Sequence, residues 1–204
     1  MTPPSLVLAS ASPRRARILS ELGVPFRVSV SGAEESSVAG EGGVVRVERL
    51  ARAKALAVAR LESLPVLAAD TEVVTDGECL GKPASHQDAR EMLQRLSGRS
   101  HEVLTGVCLL HGAEAFTGVE QTLVRFTPMT ASEIDWYVAT GEPMDKAGAY
   151  HVDGRGALFI ESIEGSPSNV AGLPIRLVLK LLRQAGLAGP AGLPGCTGSE
   201  KGAS

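Results

Sequence analysis

The sequence predicts an α/β fold built on a mixed β-sheet, and three observations carry that expectation. Short apolar runs in the first third of the chain alternate with segments whose apolar residues recur at helical spacing, the mixture of strands and helices of an α/β chain. Two long β-patterned runs, 101–110 and 114–126, are separated only by residues 111–113, a connection that suits antiparallel neighbours and is too short for a parallel crossover. No internal repeat interrupts the series, which excludes a solenoid or propeller.

Residues 6–9 read as a short buried strand. Ser12-Pro13 supplies an N-cap and a proline at the first helical position, so a helix is predicted over 13–22, stopped by Gly23. Residues 26–30 read as a second strand and 31–43, rich in Gly, Ser and Glu, as a loop. The strongest helical pattern spans 44–61. Residues 66–69 form an apolar strand ending on Asp70, and Val73-Val74 and Cys79-Leu80 flank the turn pair Asp76-Gly77 as a hairpin. Helices are predicted over 87–96, 132–139 and 174–185, and a strand over 158–163. From 188 to 204 the composition collapses into Gly, Pro, Ala and Ser, too little apolar surface to offset the entropy of ordering. The expected organisation is one domain over 1–187 and a disordered tail over 188–204.

Of 204 residues, 44% are hydrophobic and 21% charged, which suits a globular domain with a real core and excludes a disordered chain. The formal net charge of −3 gives no global basic field for a polyanion, and the four Phe, one Trp and two Tyr are too scattered for a base-stacking platform. A nucleic-acid partner is not expected. The three cysteines, Cys79, Cys108 and Cys196, form no CxxC pair, which argues against a disulfide framework or structural zinc and fits a reducing compartment. No apolar run approaches the ~18 residues of a membrane span, and the first ten residues lack the regions of a leader; a cytoplasmic location without a membrane partner is expected.

Four segments carry chemistry. In Ser10-Ala11-Ser12-Pro13-Arg14-Arg15 two arginines occupy the first helical turn, where the helix dipole disfavours cations by ~0.3–1 kcal/mol each. Free amides, two hydroxyls and two guanidinium forks there suit a phosphate; the alternative is solvated arginines paired with Glu21 or Glu34. On the 44–61 helix, Val47, Leu50, Ala51, Ala57, Val58 and Leu61 form one arc with Lys54 at its centre, while Arg46, Arg49, Arg52 and Arg60 take the other side. A lysine there needs a carboxylate or a ligand, or must snorkel. With only five Lys against 15 Arg, a retained Lys suggests a compact point charge, although codon bias would give the same skew. Asp70 stands at the mouth of a core strand, placed to act as general base or metal ligand, or to cap a turn. Gly81-Lys82-Pro83 returns a lysine from the hairpin; residues 77–82 are not a P-loop, being one residue short and followed by proline rather than Ser or Thr. The fourth segment is Asp145-Lys146-Ala147-Gly148-Ala149-Tyr150, small residues behind a charge pair. The four histidines lie at no metal-ligand spacing, and no nucleophile elbow occurs. Cations, a strand-end carboxylate and no nucleophile point to metal-assisted hydrolysis of a phosphoanhydride.

These segments, with Leu50-Ala51-Arg52-Ala53-Lys54-Ala55, Ala69-Asp70-Thr71, Leu96-Ser97-Gly98-Arg99, Thr105-Gly106-Val107 and Gly172-Leu173-Pro174, together resemble the Maf family over residues 5–186. The resemblance implies an elongated mixed-sheet fold like that of inosine triphosphatases, with a cleft between two lobes. It implies a nucleoside triphosphate pyrophosphatase that releases a nucleoside monophosphate and pyrophosphate and requires a divalent cation, Mg²⁺ or Mn²⁺. Asp70 would activate water; Ser10, Arg15, Lys54 and Lys82 would hold the triphosphate; Glu34 would share the metal with Asp70; Lys146 would complete the cationic lining. Arg14 and Thr71 match the family branch that prefers dTTP and UTP, whereas Asp153 stands where that branch carries Gln. A carboxylate only accepts hydrogen bonds, which favours a donor-rich base or a water-mediated contact, and a shorter side chain leaves room for modified nucleotides. The expected role is sanitation of the nucleotide pool. The alternatives are preference for 7-methyl-GTP or another purine triphosphate, or a non-catalytic nucleotide-binding regulator of septum formation; the latter has no need of Asp70 as a base. A homodimer is compatible with the resemblance and is not read from the chain.

Overall fold

The computed structural model describes residues 5–36 and 38–187; the tail expected over 188–204 lies outside the described residues. The elements are β1 (Leu6–Leu8), α1 (Pro13–Glu21), β2 (Phe26–Val28), α2 (Gly43–Ala59), β3 (Val66–Thr75), β4 (Glu78–Leu80), α3 (His86–Leu96), β5 (Ser100–His111), β6 (Glu114–Phe126), α4 (Ala131–Ala139), β7 (Ile160–Glu164), α5 (Pro167–Val170) and α6 (Ile175–Gln184). The strands form one seven-stranded sheet of order β2-β1-β3-β5-β6-β7, with β4 paired to β3. β2, β1 and β3 run parallel, with α1 and α2 as the intervening helices, and β3, β5, β6 and β7 pair antiparallel. The expected mixed α/β sheet is present.

Local chemistry explains the turns. Asp76 and Gly77 have φ of 53° and 78°, the left-handed pair that a two-residue hairpin between right-twisted strands needs. α4 begins with a reciprocal capping box between Thr130 and Glu133. α5 repeats at Ser166-Pro167 the Ser-Pro start of α1, and here the serine side chain accepts from Asn169 N.

Several boundaries depart from the sequence expectation. β3 does not stop at Asp70: it continues to Thr75 because β5 pairs with it from Val66↔Leu110 through Val74↔Glu102, and this ladder overrides the local polarity. Asp70 is therefore in mid-strand. α2 ends at Ala59, so Leu61 leaves the apolar arc and is 83% exposed, while Ala55 joins the buried face. β7 starts at Ile160, after a 3₁₀ turn over Arg155–Phe159. That turn, two further 3₁₀ turns (Glu142–Asp145 and Ala147–Ala149) and α5 have no periodic apolar pattern long enough to announce them.

The core is divided along the sheet. At one end α2 covers one face, with Ala51, Ala55 and Val58 against Val7, Ala68 and Cys108; α1 and α6 cover the other, with Leu19, Val178 and Leu181 against Leu6, Leu8 and Leu67. At the other end α3 and α4 pack on Val73, Val103 and Phe126. Gly106 lets α2 lie directly on β5, since a Cβ there would sit 2.3 Å from the carbonyl oxygen of Val47. Among the described residues no helix is long and apolar enough to cross a membrane.

Candidate active site

The site grows from a gap in the sheet. β5 pairs along one side of β3 throughout, so β1 and β4 must share the other side; β1 meets it only at Val66–Leu67 and β4 only at Val73–Thr75. Among the described residues the edge from Ala69 to Glu72 has no strand partner on that side. The chain leaving β1 (Ser10 to Arg15) and the chain leaving β4 (Gly81-Lys82) form the walls of this gap, and a cavity of about 310 Å³ opens there. Ligand crevices form where strand order diverges in this way.

Alternation along β3 sorts its side chains. Asp70 and Glu72 face α2; Thr71 and Val73 face the opposite side. On α2, Arg46, Leu50 and Lys54 lie in one row at i, i+4 and i+8. Lys54 Nζ donates to Asp70 Oδ1 at 2.5 Å and pairs with Glu35 Oε1 at 2.7 Å. Arg46 Nε donates to Glu72 Oε1 at 2.9 Å. Burial pushes Glu72 above the usual carboxylate range against the pull of Arg46, and the charges of Asp70 and Glu35 add to the rise. Burial would raise Glu35 too, but the hydrogen bond from Lys54 and the charges of Lys54, Lys82 and Arg15 outweigh it and hold it low.

On the other side Arg15 is fixed by three hydrogen bonds: Nε to Gly172 O at 2.7 Å, Nη1 to Ser10 Oγ at 3.0 Å and Nη2 to Thr71 Oγ1 at 3.0 Å. Burial draws its guanidinium down to about 10, with Asp70 opposing. Thr71 also meets Thr105 Oγ1 at 3.0 Å, and buried Asn169 ties α5 to the sheet through Val103 O and Thr122 Oγ1. The N-terminus of α1 has no side-chain cap and no acidic residue in its first turn, leaving its amides to an anion. The cavity thus has a charged half, around Lys54 and Asp70, and an apolar half, around Val73, Val103, Tyr150 and Val170.

Most of the residues singled out from the sequence converge. Arg14, Arg15, Lys54, Asp70, Thr71 and Lys82 line this cavity, and Ser10 lines a neighbouring one of about 160 Å³ that shares Arg15, Lys54 and Lys82. Asp153 lies in a second cavity, of about 230 Å³, which also contains Arg14. Two choices shift by one residue. Glu34 is exposed and outside these cavities, and Glu35 is the carboxylate that reaches Lys54, because the non-helical segment turns adjacent side chains to different sides. Lys146 is drawn onto Asp145, and it is Asp145 that lines the cavity. Arg46, placed by periodicity on the outer side of α2, instead faces Glu72. Arg46, Glu72 and Asn169 were not expected; the Ser166-Pro167 helix start was the available signal for Asn169, and the alternation Asp70/Glu72 that for Glu72.

Among the described residues no three His, Cys, Asp or Glu side chains gather closely enough to hold a metal ion alone. The donors still fit a hard divalent cation. Asp70, Glu72 and Glu35 offer only carboxylate oxygen, Glu72 Oε2 is buried without a hydrogen-bond partner, and such a cation takes one or two carboxylates and completes its shell with water and phosphate.

Comparison with known proteins adds to this geometry. A family model described as Maf-like protein matches residues 5–185. The chain is 52% identical to a protein of Symbiobacterium thermophilum named dTTP/UTP pyrophosphatase, over 89% of this chain and 94% of that one. It is 51% identical to a protein of the same name from Anaeromyxobacter sp., over 93% and 94%, and 49% identical to another from Halalkalibacterium halodurans, over 87% and 94%. Among solved structures, the Staphylococcus aureus Ham1 protein superposes with a TM-score of 0.53 at 14% identity, over 88% of this chain and 98% of that one, a likeness of fold.

Proposed function

The chain belongs to the Maf family, and from that premise we propose that it is a nucleoside triphosphate pyrophosphatase acting on dTTP and UTP, releasing the monophosphate and pyrophosphate. The observation that carries this is the Lys54–Asp70 pair, a buried carboxylate held at one oxygen, on an open strand edge among cations. Triphosphate charge is met by Arg15, Lys54, Lys82 and the free amides of α1, and the base extends toward the apolar half and Arg14. Water attacks the α-phosphorus, and the carboxylate oxygen of Asp70 not bound to Lys54 takes its proton. The bond from the α-phosphorus to the bridging oxygen breaks, and pyrophosphate leaves with its charge met by Lys82 and Arg15. Asp70 with Glu35 or Glu72 would hold Mg²⁺ or Mn²⁺, which when bound screens phosphate charge and acidifies water.

Arg14 and Asp153 complement an imide edge: the guanidinium donates to a carbonyl while the carboxylate accepts from the N–H that thymine and uracil share. Guanine also offers donors to a carboxylate, so the test is a panel of dTTP, UTP, CTP, GTP and 7-methyl-GTP with and without Mg²⁺ or Mn²⁺, followed by release of pyrophosphate. Preference for dTTP and UTP is expected; preference for a purine would overturn the pyrimidine assignment. Asp70→Asn should bind nucleotide and lose ~10²–10⁴ in kcat. Unchanged turnover removes Asp70 as the base.

A further inference from the structure

Arg14 belongs to the wall of both larger cavities, and Asp153 shares the second with it. Asp153 sits in the loop 151–154, which leads into the Arg155–Phe159 turn; no strand or α-helix holds it. What holds this segment is one hydrogen-bonded pair, the buried Tyr137 on α4 and the half-buried Glu142 in the turn that follows. Tyr137 Oη donates to Glu142 Oε1 at 2.8 Å and accepts from His151 N at 3.0 Å. Glu142 Oε1 also accepts from Gly156 N at 3.1 Å, and Oε2 from Arg155 N at 3.2 Å. Backbone donors from both ends of residues 151–156 therefore converge on two side chains, with Asp153 between them.

Steric fit and electrostatics agree with this role. A Cβ on Gly156 would lie 2.7 Å from Tyr137 Oη, and one on Gly154 would lie 2.7 Å from both Glu142 carboxylate oxygens. The Tyr137 ring is fully buried and stands against Phe159, with centroids 5.5 Å apart. Burial and the bond to Glu142 push its hydroxyl well above the usual phenol range, so it stays a donor. Burial would raise Glu142, but the amides of Arg155 and Gly156 and the Tyr137 hydroxyl outweigh it, so it stays an acceptor.

We propose that Tyr137 and Glu142 are positioning residues for nucleotide selection: by clamping both ends of the 151–156 segment they fix Asp153 opposite Arg14. This rests on the reading above, in which Arg14 and Asp153 meet the base.

The test compares wild type, Tyr137→Phe, Asp153→Ala and the double variant, each as the full chain, by kcat and KM on dTTP, UTP and GTP. Tyr137→Phe should raise KM for the preferred triphosphate by ~3–10-fold with kcat within about two-fold, and narrow the preference over the others. The double variant should lose no more preference than Asp153→Ala alone, since the clamp acts through that residue. Glu142→Gln, which keeps the volume, should speed amide hydrogen exchange at Arg155 and Gly156 and narrow preference in the same way; it serves if Tyr137→Phe does not fold. Additive losses in the double variant, or an unchanged preference in Tyr137→Phe and Glu142→Gln beside a selective wild type, overturn the clamp alone. A wild type that hydrolyses the panel without preference overturns both the clamp and the base-recognition reading.

Discussion

Lys54 is buried and its charge is matched by two carboxylates, so its value depends on its partners staying in place. Lys54→Met leaves Asp70 buried without its cation and should cost ~3 kcal/mol of stability, whereas Lys54→Met with Asp70→Leu should recover most of it, both read from urea midpoints. His101 gives a pH signature. It is 2% exposed, its Nε2 meets Tyr150 Oη at 3.0 Å, its Nδ1 has no partner, and burial lowers its pKa to about 4. Between that value and the unfolded value of about 6.5 the unfolded chain binds more protons, so stability rises with pH across this window. Urea titrations from pH 7 to pH 4 should show a loss on the order of 3 kcal/mol from this group, and His101→Gln should flatten the slope. At this scale the sequence was most informative where a residue broke a local rule. Arginines in a helix's first turn and a lysine on an apolar arc both led to the cavity, while Arg46 was hidden because periodicity places it on the outer side of α2, and Glu72 was signalled only by its alternation with Asp70.

Gly106 decides how closely α2 and β5 approach, and so where Lys54 stands relative to Asp70, which is the register partner of Gly106. Gly106→Ala would set a Cβ against the backbone of Val47 and Glu48, which cannot rotate away; α2 must lift. The expected result is a loss of ~1–3 kcal/mol in stability and a larger fall in kcat than in nucleotide affinity, checked by urea unfolding and steady-state kinetics. The long elements were legible because periodicity and caps agree over many residues: α3, β5, β6 and the hairpin at Asp76-Gly77 stand within a residue of where the sequence places them, and α2 within two. The continuation of β3 and the short turns around Tyr137 and Asp153 were not, since tertiary pairing and side-chain clamps rather than local propensity make them.

At the scale of the molecule, the cavity is walled by Arg14 and Arg15 of α1 and Arg46 and Lys54 of α2 toward one end of the sheet and by Val73, Val103, Tyr150 and Val170 of the α3–α4 core toward the other. A triphosphate with a non-hydrolysable α–β bridge, at a hundred times its Kd, should add about 2.7 kcal/mol and raise Tm by roughly 5–10 °C in a thermal melt. The mixed sheet followed from the order of strands and helices, but the split of its core did not, because it depends on where β1 and β4 let go of β3. That open stretch has a cost outside chemistry. An unpaired edge is a template for a strand from another molecule, and here the charges of Asp70 and Glu72 stand beside it. A double Asp70→Asn, Glu72→Gln variant, attractive as an inert control, would still not bare a neutral edge: the open stretch is only Ala69–Glu72, and Arg15, Arg46, Lys54 and Lys82 remain around it. Such a protein should scatter light like the wild type but unfold at lower urea, so the carboxylates of the gap also balance the cations that wall it.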